Sequence, residues 1–150
     1  MFTGIVEAVA KVKELRKREN LYTLAVEKPK AFNDIKIGDS ISNDGVCLTV
    51  TAKKAGCFYF DLMKETLDAT TLKHLSAGKK VNLERAMKAD ARMGGHFVSG
   101  HVDAVARIMK VVTLPNYVEY RIAVPKVIRK FIAAKGSVAI DGISLTVGAV

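Results

Sequence analysis

No stretch of this sequence is both long and apolar. Runs such as Ile122-Ala123-Val124-Pro125 end after a few residues, against the roughly 20 that a membrane-spanning helix requires, so no membrane span is expected. The first residues, Met1-Phe2-Thr3-Gly4-Ile5-Val6-Glu7, lack the basic start, apolar stretch and small-residue cleavage site of a secretory signal. The expected location is the cytoplasm. Cysteine is scarce as well. Cys47 and Cys57 are too few for a disulfide framework and match no common zinc spacing, so both are read as reduced thiols. The three histidines, His74, His96 and His101, come without an HExxH or a paired carboxylate pattern, so no metal site is expected.

Also missing is a basic patch interleaved with aromatics. The net charge is +9, and a polyanionic partner would be favoured if the lysines and arginines shared one surface. They are scattered instead. The densest run, Lys11 to Arg18, contains Glu14 and no aromatic residue that could stack on bases, which reads as a solvated face. A nucleic-acid-binding barrel of the OB type would need an aromatic stripe that the sequence does not offer. No nucleic-acid partner is expected.

What the chain does have is enough apolar material for a core, 49% of its 150 residues, and an internal repeat. Phe2-Thr3-Gly4-Ile5-Val6-Glu7-Ala8-Val9-Ala10 returns as Val98-Ser99-Gly100-His101-Val102-Asp103-Ala104-Val105-Ala106. In the same order, Asp44-Gly45-Val46-Cys47-Leu48-Thr49-Val50 returns as Asp141-Gly142-Ile143-Ser144-Leu145-Thr146-Val147. Two matched blocks at a nearly constant offset indicate duplication of a unit of about 97 residues, much longer than a solenoid repeat. The expected domains are residues 1–97 and 98–150, with a glycine-bearing connector at Asp90 to His96. The second copy is then incomplete, lacking the counterpart of Phe58 onward.

Within the first copy, β-like stretches run over Gly4 to Leu15, Leu21 to Val26, Ser40 to Ala52, Cys57 to Leu62 and Lys80 to Arg85. They are rich in branched and aromatic residues and punctuated by Gly, Asp, Asn or Pro. A small closed β-barrel is expected. Asn43-Asp44-Gly45 and Asp141-Gly142 are turn sequences that tolerate positive φ and should present the following residues at a barrel rim. Helices are expected at Lys64 to Leu72, near Pro29 to Asn33 and at Pro125 to Ala133, the last two opened by proline.

Five segments carry a resemblance: MFTGIVE at the start, NDGVCLTV at 43–50, FDLMKETL at 60–67, VNLERAMKADARMGGHFVSGHVD at 81–103 and KGSVAIDGISLTVG at 135–148. Over essentially the whole chain they resemble the riboflavin synthase family. The resemblance implies an all-β fold with short helices: two tandem six-stranded Greek-key β-barrels, the second incomplete in this chain, each able to hold one 6,7-dimethyl-8-ribityllumazine. It implies dismutation of two lumazines to riboflavin and 5-amino-6-ribitylamino-uracil without a cofactor. For the intact protein it implies a homotrimer, with working sites between the N-terminal barrel of one subunit and the C-terminal barrel of a neighbour. Association with lumazine synthase is a further expectation.

Such a reaction needs a base for a C7 methyl proton, polar groups at the ring and firm positioning; orientation can contribute up to about 7–11 kcal/mol. His101 is the candidate for proton transfer, because imidazole titrates near working pH. Its counterpart in the first copy is Ile5, an asymmetry that a purely structural position would not need. The alternative is a hydrogen-bonded histidine at a barrel rim. Cys47 and Ser144 are equivalent positions holding a thiol and a hydroxyl, and the resemblance assigns them to donor and acceptor sites as catalytic residues together with Thr146, Cys47 as nucleophile or polar contact and Ser144 assisting proton transfer; the other reading of Cys47 is a small buried hydrophobe. The resemblance carries ligand contacts to Phe2, Gly4, Ile5 and Val6, to Cys47, Leu48 and Thr49, and to Asp61, Leu62, Met63, Lys64, Glu65 and Thr66 for the first barrel. For the second it carries them to Gly100, His101, Val102, Lys135, Ser144, Leu145 and Thr146. His96 is assigned to the connector or a subunit interface, His74 to the surface and Cys57 to the core. The rival reading from another class is a non-catalytic lumazine or flavin carrier on the same barrels, which Cys47, His101 and Ser144 together argue against.

Overall fold

The computed structural model describes residues 1–150. Six strands make the first unit: β1 Ala8–Arg18, β2 Leu21–Glu27, β3 Ser40–Asn43, β4 Val46–Lys54, β5 Cys57–Met63 and β6 Lys80–Arg85. They close as an antiparallel barrel in the order β1-β2-β5-β4-β3-β6. Two consecutive hairpins, β1–β2 and β3–β4, are joined on one side by β5 and on the other by β6, so no strand of the barrel is left with an open edge.

Alternation along the strands sends one set of side chains inward. Leu24 and Val26 on β2, Val46, Leu48 and Val50 on β4, and Phe58, Phe60 and Leu62 on β5 are all 5% exposed or less. Each such side chain contributes roughly 1.5–3 kcal/mol on burial. Phe32 and Ile35, from the loop between β2 and β3, fill one part of this core, and Leu67 and Leu72 fill another. That loop is fastened by Arg85, which pairs with both Glu7 and Asp34 and lies over the Phe32 ring at 4.9 Å.

Several expected boundaries move. The stretch Ser40 to Ala52 is a hairpin, bent at Asp44 (φ 46) and Gly45 (φ 83), a two-residue loop with both residues left-handed. The strand expected from Gly4 begins at Ala8, because residues 2–7 are drawn away as an arm. The helix expected over Lys64 to Leu72 divides into α1 Lys64–Asp68 and a 3-10 turn Thr71–His74; Thr70 caps that turn through its hydroxyl, which accepts from the Leu72 N–H. Pro29 to Asn33 forms only a turn, with the Phe32 N–H on the Pro29 carbonyl at 3.0 Å, since burying Phe32 pulls the chain inward before a second turn can form. The Pro125 to Ala133 helix shortens to α2 Lys126–Arg129.

The second unit repeats the first for four strands: β7 Arg107–Thr113, β8 Val118–Ala123, β9 Ser137–Ile140 and β10 Ile143–Thr146. Even irregularities recur. A bulge between Val12 and Glu14 on β1 returns between Ile108 and Lys110 on β7. The hairpins β7–β8 and β9–β10 stay separate two-stranded sheets, because the strands that join their counterparts are β5 and β6, and residues 98–150 contain no equivalent of either. The consequence for packing is direct. No residue from His101 to Asp141 is buried, and Ile108, Met109, Val111, Tyr120, Val127 and Phe131 are exposed.

Candidate functional site

Inward alternation on β4 leaves Cys47 and Thr49 on the outer face. Register places Cys47 opposite Ser42 and Ser42 opposite Glu84, one polar row across β4, β3 and β6; Thr49 stands opposite Ser40 in the next row. The Cys47 thiol is half-buried. Its backbone N–H donates to the Gly100 carbonyl at 2.8 Å. The equivalent bond runs the other way across the molecule, the Ser144 N–H donating to the Gly4 carbonyl at 2.7 Å. Between them, Phe2 and Val98, also equivalent, exchange both backbone hydrogen bonds at 2.8 and 3.0 Å.

Equivalent residues therefore meet equivalent residues, and the two units are related by an approximate twofold axis through the Phe2–Val98 pair. The contacts cross over relative to the repeat: the strand carrying Cys47 meets the arm carrying His101, and the strand carrying Ser144 meets the arm carrying Ile5. Close approach requires glycine in the arms. A Cβ on Gly100 (φ +84) would lie 2.5 Å from the Cys47 Cβ and 2.9 Å from the Phe2 ring, and one on Gly4 (φ +77) would lie 2.7 Å from the Ser144 Cβ.

On the Ser144 side, the hydroxyl shares a hydrogen bond of 2.7 Å with His96 Nδ1. The His96 backbone N–H donates to the Thr3 carbonyl at 3.0 Å. Thr3 and Gly4 are themselves tied to Glu84, whose Oε1 accepts from the Thr3 N–H at 2.7 Å and the Thr3 hydroxyl at 2.6 Å, and whose Oε2 accepts from the Gly4 N–H at 2.9 Å. On the Cys47 side, His101 is exposed, with its N–H on the Ser99 hydroxyl at 3.1 Å and its ring free of hydrogen bonds within the chain. Val102 packs against the first unit's core. The turns Asp44-Gly45 and Asp141-Gly142 face each other across the axis. Burial pushes the Asp44 carboxyl up to about 6; the Asn82 N–H at 2.7 Å opposes that shift and the nearby Asp141 carboxylate adds to it. Burial raises Asp141 too.

The remaining expected contacts lie at the end of β5 and in α1. Asp61 accepts from the Thr23 hydroxyl at 2.9 Å, and Met63, Lys64 and Glu65 are exposed while Thr66 is half-buried. Two open depressions flank this edge. Asp61 lines one with Arg16, Arg18, Glu19, Leu21 and Thr23; Met63, Lys64 and Glu65 line the other with Lys17 and Tyr22. Leu48 and Leu62 are core side chains. Phe2 is fully buried, and Ile5 is exposed and Val6 half-buried in the arm. Leu145 and Thr146 are exposed on β10, and Lys135 (φ 66) binds the Val147 carbonyl through its N–H at 2.8 Å. Sequence reasoning missed Glu84, Ser42 and Thr23, and gave His96 only a connector or subunit-interface role. Strand register would have brought out the first three; nothing local marks His96 as a partner of Ser144.

The first unit is thus a closed barrel with a polar outer row, cross-pinned to a second unit that repeats four of its strands. The Lumazine binding domain family matches at residues 3–86 and again at 99–150. The riboflavin synthase of Bacillus subtilis is 44% identical over 147 residues, covering 98% of this chain and 68% of the relative. That of Photobacterium phosphoreum is 44% identical over 151, covering 100% and 69%, and that of Escherichia coli 43% identical over 152, covering 100% and 71%. This chain belongs to the riboflavin synthase family, whose members are transferases. Among solved structures, LumP complexed with 6,7-dimethyl-8-(1'-D-ribityl) lumazine superposes with a TM-score of 0.87 at 25% identity, over 100% of this chain and 81% of that one. LumP complexed with riboflavin gives 0.91 at 24%, over 100% and 82%, a likeness of fold.

Proposed function

We propose that the protein carries out riboflavin synthase chemistry, dismutation of two 6,7-dimethyl-8-ribityllumazine molecules to riboflavin and 5-amino-6-ribitylamino-uracil, with no external cofactor. The observation that supports this best is the crossed pinning of Cys47 and Ser144. A thiol and a hydroxyl at equivalent positions are held by the same backbone bond, one beside the arm of His101 and the other beside His96. One lumazine must lose a C7 methyl proton while the other is activated at its ring, so a free imidazole and two different polar groups at related sites suit the two roles. His101 takes the proton; Cys47, Ser144 and Thr146 contact the rings. The lumazine-binding units divide at residues 97 and 98, and Asp61 to Thr66 with Cys47 to Thr49 form the ligand edge of the first. A homotrimer for the intact protein, contact with lumazine synthase and a cytoplasmic location belong to the same reading.

The test is incubation with 6,7-dimethyl-8-ribityllumazine, following ligand fluorescence for binding and riboflavin absorbance for turnover. Saturable binding is expected at the first barrel, and any turnover should fall by roughly 10²–10⁴ in H101A. Absence of both signals would overturn the proposal, and turnover untouched in H101A would remove His101 from it.

A further inference from the structure

Glu84 is a buried charged side chain, 5% exposed, that no step of the chemistry above uses. No lysine or arginine pairs with it. Both of its oxygens accept, three donors in all, and all three belong to Thr3 and Gly4, some 80 residues away in sequence. A buried carboxylate is costly unless its acceptor capacity is met. Here it is met only when the N-terminal arm lies in one position. The same arm then presents two carbonyls to the other unit: Thr3 to the His96 N–H at 3.0 Å and Gly4 to the Ser144 N–H at 2.7 Å. The Ser144 hydroxyl and His96 Nδ1, 2.7 Å apart, close the circuit.

We infer that Glu84 is a positioning residue: through the arm it clamps, it sets the orientation of Ser144 and the His96 ring in the opposite unit. Its own oxygens are taken up by Thr3 and Gly4. Its effect travels along four hydrogen-bonded residues, Thr3, Gly4, His96 and Ser144. Glutamine fits the same space but offers an N–H group where one oxygen accepted, so E84Q sets donor against donor, either at Gly4 or at Thr3. The arm must then shift, and with it the two carbonyls.

The inference rests on the reading of Ser144 as a ligand-contacting residue only for its consequence in binding; the geometric part is tested independently. Ring-nitrogen resonances of the three histidines report it, with His74, exposed on the 3-10 turn and outside the hydrogen-bonded chain from Glu84 to Ser144, as internal control. In E84Q, and to a smaller extent in T3V, the His96 resonances should shift while those of His74 stay in place. Fluorescence titration with 6,7-dimethyl-8-ribityllumazine should show an affinity about tenfold weaker, the scale of one lost buried hydrogen bond. Unchanged His96 resonances in whichever variant keeps a folded spectrum would overturn the inference. A His96 shift with no lumazine binding even in the wild type would leave the positioning role standing and count against the ligand reading alone.

Discussion

Replacing Asp44 by asparagine removes one charge from the approximate twofold axis and leaves the geometry in place. Asparagine tolerates the left-handed backbone that Asp44 adopts (φ 46), and its carbonyl can still accept from the Asn82 N–H. The Asp44 carboxyl is raised from 3.8 to about 6 by burial, with Asp141 adding to the shift. A shift of about 2 units corresponds to about 3 kcal/mol at 1.36 kcal/mol per unit. Asp44 is only half-buried, so solvent screening reduces the share felt by folding to about 1–2 kcal/mol. Because the folded value lies above the unfolded one, this stability is fully present below about pH 4 and is lost as pH rises through about 6. At pH 7.5 D44N should therefore be the more stable protein, by about 1–2 kcal/mol, or roughly 2–4 °C in melting temperature per kcal/mol. The measurement is thermal or urea unfolding of both proteins from pH 4 to pH 8, read as the difference between the two curves so that carboxylates not coupled to Asp44 cancel. A difference that stays flat across that range, or favours the wild type more as pH rises, would refute the reasoning.

Other outcomes follow from the same geometry. G100A and G4A each place a methyl group inside the van der Waals distance of the opposite strand at positive φ, and should destabilise the contact between units by roughly 2–4 kcal/mol in urea unfolding. Phe58→Ala or Phe60→Ala empties the barrel core and should cost about 3–5 kcal/mol by the same assay. Where turnover is measured, H101A should lower it by roughly 10²–10⁴, the range of general base catalysis, whereas H74A should leave it within error of the wild type. Hydrogen exchange should separate the units: amides of β1 to β6 protected, those of β7 to β10 exchanging orders of magnitude faster for want of a buried core.

Much of the fold was legible because its signals are local. The repeat of Gly4 to Ala10 at Gly100 to Ala106, the Asp-Gly turns and the Val-rich runs predict two related units of short strands, and the first barrel has the six strands expected of it. What was not legible depends on residues far apart in sequence. Residues 4–7 look like the start of a strand, but Glu84 and Ser144 take the backbone groups of Gly4, so the arm leaves the ladder. Phe32 reads as part of a helix opened by Pro29, but the core claims its ring. For the candidate site, Cys47, His101 and Ser144 could be named from the repeat and the resemblance, while their crossed pairing could not. Only the twofold relation brings Gly100 to Cys47 and Gly4 to Ser144. Glu84 carried no local signal because its partners are at the opposite end of the first unit.

The wiring of the barrel also implies an order of assembly. Hairpins β1–β2 and β3–β4 pair neighbouring segments and can form early, whereas β5 and β6 are the keystones that lock them to each other. During synthesis from the N-terminus, the first unit must wait as two loose hairpins with their apolar faces open to water until residues 57–85 leave the ribosome.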